Sequence, residues 1–166
     1  MSKTPSPAGD APPVSHATTL QVRDHCLCLA AQRAARTLAR RFDLALKPVG
    51  LTNGQFSLLM ALNRPDPPPL GAVAALLAMD RTTLTAALKP LERRGLLTSL
   101  RDPADLRSRL LALTPAGGEL LARALPIWQA SHDRLDAALA TPPAPTDPAA
   151  LRAGLARLAG TPAANR

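Results

Sequence analysis

Residues 79–97 read MDRTTLTAALKPLERRGLL, and four side chains in this stretch could do chemistry together. Thr82, Thr85, Lys89 and Arg93 recur at spacings of three, four and four, which places them on one face of a helix. Arg81 and Thr83 stand beside them in the first turn, and Arg94 follows Arg93. The face is short and polar at its start and cationic at its end. Such a surface suits the major groove of DNA: compact threonines reach base edges and thymine methyls, while the longer cations hold phosphates. Leu84, Leu88 and Leu91 line the opposite face and are expected in a core.

A helix is needed to present that face. Asp80 is a good N-cap for a helix beginning at Arg81. Pro90 removes its own amide from the ladder and would cost about 3 kcal/mol in a free helix. Leu88 and Leu91 hold both sides of that break, so the spacing predicts a kinked helix continuing to Arg94. Gly95 then supplies a left-handed cap. The alternative is a stop at Lys89 with LERR as a separate turn.

The neighbouring elements follow from the same reading. LGAVAALLA is a short apolar helix joined to the first by only Met79 and Asp80, which makes a helix-turn-helix. After Gly95, LLTSLR, DPADLRS and RLLALT read as strand, turn and strand, adding a wing. Residues 81–109 hold seven Lys/Arg against three Asp/Glu. Asp102, Asp105, Arg107 and Arg109 cluster in the turn that follows Arg101, where an arginine can enter a minor groove with a carboxylate fixing its angle. The alternative there is a solvated turn with surface ion pairs worth under about 1 kcal/mol.

Outside this region the pattern is helical. From about residue 18 to 47, Leu27, Ala31, Ala34, Leu38, Phe42 and Ala45 form an apolar stripe, with Arg33, Arg36, Arg40 and Lys47 on another face. Thr52 can cap NGQFSLLMALN, and RPDPPP is a loop. Thr114 before Pro115 starts a helix running to about Ala140, with Trp128 in its apolar stripe. AALRAGLARLAG is a last helix. The order is four helices, a hairpin and two helices. The fold class is mainly α with a small β-hairpin wing, a winged helix-turn-helix.

Composition agrees with a helical, polyanion-binding chain. The 166 residues carry a net charge of +8, 46% hydrophobic residues and only 2% aromatics. The charge favours a polyanionic partner. Two Phe, one Trp and no Tyr give little platform for stacking single-stranded bases, which favours duplex DNA. No Gly-rich phosphate loop, HExxH or telling carboxylate pair marks an enzyme. A third class, a basic module that binds another protein, would lack the steep salt dependence of phosphate contacts. No apolar run approaches the roughly 18 residues of a membrane span, and MSKTPSPAGDAPPVSHA has no apolar signal region. The expectation is a cytoplasmic protein with a disordered tail over residues 1–16.

The blocks LTNGQFSLLMAL, LAMDRTTLTAALKPLERRGLL, DPADLRSRLLALTPAG and ALPIWQA, in this order, resemble the MarR family of bacterial transcriptional regulators. The resemblance covers roughly residues 22–160. It implies a homodimer in which 17–50 is a dimerisation and linking helix, 51–114 the winged helix-turn-helix, and 115–160 C-terminal dimerisation helices, with 161–166 a tail. It places the recognition helix at Arg81 to Arg94 and the wing at Arg101 to Arg109, with Asp105 and Arg107 matching the family's wing Asp-x-Arg. Ala86 departs from the pattern, since many members carry arginine there. The resemblance implies a repressor bound to a pseudo-palindromic double-stranded operator, released by a small molecule or by oxidation of a cysteine.

Three residues are sensor candidates. Cys26 and Cys28 point about 200° apart on a helix, which disfavours a bond within one chain. Cys28 falls near the reactive cysteine of the family's organic-hydroperoxide-sensing branch, but the tyrosines that hold the thiolate there are absent here. The competing readings are small buried residues and, with His25, a metal site that lacks a second ligand cluster. No metal or cofactor is expected. Trp128 either lines a ligand pocket or belongs to the core. His16 and His132 point to no site.

Overall fold

The computed structural model describes residues 14–160 except Ala104, Leu106, Arg107 and Ala144. The expected tails lie largely outside these residues, as does Arg107. Two compact units divide the chain, Met1–Leu38 and Ala39–Arg166. The elements are α1 (His16–His25), α2 (Leu27–Leu46), a 3-10 turn (Lys47–Val49), α3 (Asn53–Leu62), α4 (Leu70–Leu76), α5 (Arg81–Arg93), β1 (Leu97–Arg101), β2 (Arg109–Leu113), α6 (Pro115–Leu139) and α7 (Pro148–Leu158).

The N-terminal region departs from the expected single helix. The tail was expected to reach residue 16, but α1 begins at His16, where the Ser15 hydroxyl accepts the Thr18 amide at 3.1 Å. The helix then breaks at Cys26, whose backbone is extended. The Cys26 sulfur accepts the Leu29 amide at 3.4 Å, so it fills the capping role that a hydroxyl or carboxylate usually takes. Cys26 thus closes α1 and opens α2. Of the apolar stripe expected here, Phe42 is buried, and Leu46, one turn further on, is buried too. Leu27 is 71% exposed.

From Leu51 onward the expected caps at Thr52, Asp80 and Thr114 are present. Thr52 and Gln55 form a reciprocal capping box at α3, satisfying two otherwise orphaned amides. Asp80 caps α5, and Thr114 caps α6 with Pro115 in its first turn. α5 runs through Pro90 without stopping at Lys89. Leu84, Leu88 and Leu91 are buried and join α3, Val73 of α4, Leu111 of β2 and Leu120 of α6 in one core. Each such leucine contributes roughly 1.5–3 kcal/mol when fully buried.

β1 and β2 form an antiparallel hairpin in which Leu97 faces Leu113 and Arg101 faces Arg109. Its outer edge is partly covered: Leu111 donates to the Pro68 carbonyl at 2.9 Å, and Pro69 bridges Leu110. α6 starts hard against the hairpin. A β-carbon on Gly117 would stand 2.1 Å from the Leu96 carbonyl oxygen, so only glycine fits. Among the described residues no single helix is long and apolar enough to cross a membrane.

Candidate nucleic-acid interface

The helix-turn-helix is held by local bonds that leave one face of α5 free. α4 ends in a Schellman motif: the Met79 amide reaches the Ala74 carbonyl at 2.9 Å, and the Ala78 amide reaches Ala75 at 3.2 Å. Ala78 takes φ +50°, the position glycine usually fills. α5 ends in the same motif with Gly95 at φ +66°, where Leu96 bonds Leu91 at 3.0 Å and Gly95 bonds Glu92 at 2.9 Å.

The expected reading face is exposed as a unit. Arg81, Thr82, Thr83, Thr85, Lys89, Arg93 and Arg94 all face solvent. Arg81, Thr82, Thr85, Ala86 and Lys89 line one trough of about 340 Å³. Ala86, Lys89, Pro90, Glu92 and Arg93 line a second of about 410 Å³. The two share Ala86 and Lys89, so they run on along the helix.

The hydroxyls are already partly committed. Thr83 donates to the Asp80 carboxylate at 2.5 Å and its amide donates to the same carboxylate at 2.8 Å. The Thr83 hydroxyl, followed by its amide, holds the Asp80 carboxyl below the usual carboxylate range. Thr83 therefore serves the cap. Thr85 donates to the Arg81 carbonyl at 2.7 Å, leaving its oxygen lone pairs and its methyl to face outward.

Two residues behave as struts. The Arg94 guanidinium donates to the Gly50 carbonyl at 2.9 Å, tying the end of α5 to the turn before α3. The Ser99 hydroxyl donates to Glu92 at 2.5 Å, tying β1 of the wing to the same helix. Sequence reasoning offered no sign of either pairing, because each joins residues from different elements.

The wing carries its own electrostatic signal. Arg101 and Arg109 are exposed and directly opposite in the hairpin register. Like charges at paired positions destabilise a hairpin, and an anion between them would relieve that repulsion. The turn beyond closes with Ser108 donating to the Asp105 carbonyl at 2.8 Å. Asp105 is exposed.

The sensor candidates belong to other elements. Within the single chain Cys28 is exposed and Cys26 partly so. Gln32 donates to the Cys28 sulfur at 3.3 Å, and the His25 ring pairs with the Gln21 carbonyl at 2.9 Å. Among the described residues no group of three or more His, Cys, Asp or Glu could hold a metal ion. Trp128 sits where core and cavity meet. It packs against the core, and with Phe56, Met60, Leu76, Leu77 and Leu125 it lines an apolar cavity of about 340 Å³. It also belongs to an aromatic row: Phe56 to Trp128 at 6.0 Å, Trp128 to His132 at 4.2 Å, and His132 to Phe42 at 4.6 Å between ring centres.

Comparison with known proteins gives this geometry a context. A family model described as MarR family matches residues 51–108. The chain is 30% identical over 101 residues to the organic hydroperoxide resistance transcriptional regulator of Bacillus subtilis, covering 61% of this chain and 69% of that protein. Among solved structures, the M. tuberculosis transcriptional regulator MosR in complex with DNA superposes with a TM-score of 0.71 at 33% identity, over 82% of this chain and 95% of that one. The transcriptional repressor CouR is 31% identical and has been solved both on a 23-mer DNA duplex and with p-coumaroyl-CoA. The second of these has a TM-score of 0.71 and covers 83% of this chain and 94% of that one.

Proposed function

We propose that this chain, which belongs to the MarR family of DNA-binding transcriptional regulators, acts as a homodimeric repressor released from a pseudo-palindromic operator by a small molecule. The observation that carries this reading is the α5 face, where Thr82, Thr85 and Lys89 line one trough between Arg81 and Arg93. The facing arginines of the wing, 101 and 109, support it as an anion clamp, and Arg107 is proposed to act with them. Lys89, Arg93 and the wing arginines hold phosphates, Thr82 and Thr85 read bases, and Asp105 orients the wing. Arg94 and Thr83 contribute by fixing the helix.

Dimerisation is supported by what the terminal helices leave uncovered. α1 and α7 have no buried residues, and Leu151, Leu155 and Leu158 of α7 are 41%, 47% and 69% exposed. A second copy would cover them. Two recognition helices related by a two-fold axis then require half-sites about one helical turn apart. The cavity beside Trp128 is the proposed effector site. It touches α3, α4 and α6, so an occupant would shift the first helix of the helix-turn-helix. CouR with p-coumaroyl-CoA supports a small-molecule effector in this family.

A second reading, a thiol switch, is favoured by the Cys26 cap. Oxidation of that sulfur would weaken the bond to the Leu29 amide and disturb the junction of α1 and α2. The B. subtilis relative, a regulator of organic hydroperoxide resistance, supports it.

The test is binding to the duplex upstream of the chain's own coding region, with random duplex and single strands as controls, across a salt titration. Specific duplex binding with a steep salt slope is expected. Arg107→Ala should flatten that slope by about one. Mild peroxide followed by dithiothreitol separates the two effector readings: loss and recovery of binding supports the thiol, and indifference sends the search to ligands of the Trp128 cavity. Equal affinity for every duplex at low and high salt would sink the regulator reading.

A further inference from the structure

The groove-facing chemistry at the middle of α5 is one-sided, and this allows a statement about which base pair it reads. A threonine hydroxyl has one proton to give and two lone pairs to accept with. The Thr85 proton is spent on the Arg81 carbonyl at 2.7 Å. Thr85 is exposed, so what it presents outward is an acceptor oxygen and a methyl group. Ala86, exposed beside it in the same trough, presents a second methyl and no polar atom. The strong donors lie at the two ends of the trough: Arg81, whose guanidinium stands 3.4 Å from where a β-carbon on Gly71 would be, and Lys89 one turn beyond Thr85.

In the major groove an A·T pair offers an amino donor on adenine and a methyl on thymine. A guanine edge offers two acceptors, and cytosine offers an amino donor without a methyl. An acceptor oxygen next to two methyls is therefore complementary to A·T. It meets guanine acceptor to acceptor, and it finds no methyl on cytosine. We infer that Thr85 and Ala86 together form a specificity-determining pair, beside Thr82, that reads an A·T pair at the centre of each operator half-site through the adenine amino group and the thymine methyl. This inference rests on the regulator reading above and goes further by naming the base pair and the two groups that select it.

The test uses the full-length chain and duplexes that it selects itself from a randomised pool. In the selected duplexes, each thymine is replaced singly by deoxyuridine, which removes the 5-methyl and nothing else. One thymine in each half-site should be sensitive, with affinity falling roughly four-fold, the effect of about one buried methyl. On Ala86→Gly protein the same replacement should have a smaller effect, because the partner methyl is already gone. Thr85→Val keeps a methyl and loses the acceptor, so it should bind the selected site less tightly while narrowing the gap between A·T and G·C at that position. Selected sites whose thymines all tolerate deoxyuridine, or that carry G·C at the centre of both half-sites, would overturn the inference while leaving a sequence-specific regulator in place. A pool that yields no preferred duplex at all would overturn the regulator reading, and this inference with it.

Discussion

α5 and α7 are both helices with leucines three and four residues apart, yet they have opposite fates. In α5, Leu84, Leu88 and Leu91 are all buried, and a polar face is left to the solvent. In α7, Leu151, Leu155 and Leu158 stay in the open, and the helix buries nothing. α6 contains the same contrast within one element: Gly117, Leu120, Leu121 and Ala124 are buried in its first half, and Ser131 alone in its second. Amphipathic spacing says that a face will be buried, but not by what. The region around α5 finishes its core within one chain, whereas α7 carries apolar area that isolated folding does not satisfy.

The largest expected effect breaks this comparison at its open end. Leu155→Glu puts a charge on the exposed face of α7, which one folded chain would tolerate. If that face pairs with a second copy, sedimentation should show a shift to monomer, and operator affinity should fall by roughly 10²–10⁴ as the two half-sites lose their linkage. An unchanged sedimentation coefficient would mean that α7 does not hold the dimer. At the closed end, Gly117→Ala forces a β-carbon into the Leu96 carbonyl and should destabilise the fold by about 1–3 kcal/mol. Denaturant titration reads this directly, and wild-type stability would show that α6 can lift away from the hairpin without cost.

The two helix ends of the helix-turn-helix give a smaller and more controlled comparison. Gly95 and Ala78 occupy the same position of the same motif, at φ +66° and +50°. A β-carbon on Gly95 would meet nothing within 4 Å, so Gly95→Ala isolates the backbone term. It should cost about 1 kcal/mol once the stiffer unfolded chain is counted. Ala78→Gly should gain a similar or smaller amount. If both variants lose stability equally, backbone strain at Ala78 is not the governing term, and its methyl is packing.

The sequence was most legible where a structural signal is local. Thr52, Asp80, Gly95 and Thr114 with Pro115 each act within one helical turn, and each element they bound stands where the spacing predicted. The break at Cys26 was not legible, because sulfur is a rare cap and nothing in DHCLCL disrupts the helical pattern. The struts were hidden for another reason. Arg94 finds Gly50 at 44 residues' separation, and Gly117 matters only because the Leu96 carbonyl is folded onto it. Thr83 shows the limit within the site itself: residue type and exposure match its neighbours, but its hydroxyl belongs to the cap. Cationic side chains on the α5 face were readable from spacing, while the direction in which each hydroxyl donates was not.

The smallest expected effect lies where α6 stops burying its apolar side. His132 sits between Trp128 and Phe42, with Asp133 beside it in the chain and the Asp136–Arg152 ion pair at 3.1 Å joining α6 to α7. Burial holds His132 below the ordinary histidine value. Asp136 opposes this, Arg152 adds to it, and Asp133 opposes it again. A histidine depressed in the folded state takes up its proton first in the unfolded chain. Its contribution is complete above about pH 6.5 and is lost as pH falls from there toward the folded value. The melting temperature should therefore drop on mild acidification, and His132→Phe, which keeps a ring in the row, should flatten that dependence. A variant that melts with the wild-type pH profile would place the acid sensitivity in another group. A flattened profile together with an intact dimer would show that the aromatic row is part of the folded core of one chain, and that the open side of the molecule begins beyond it, at α7.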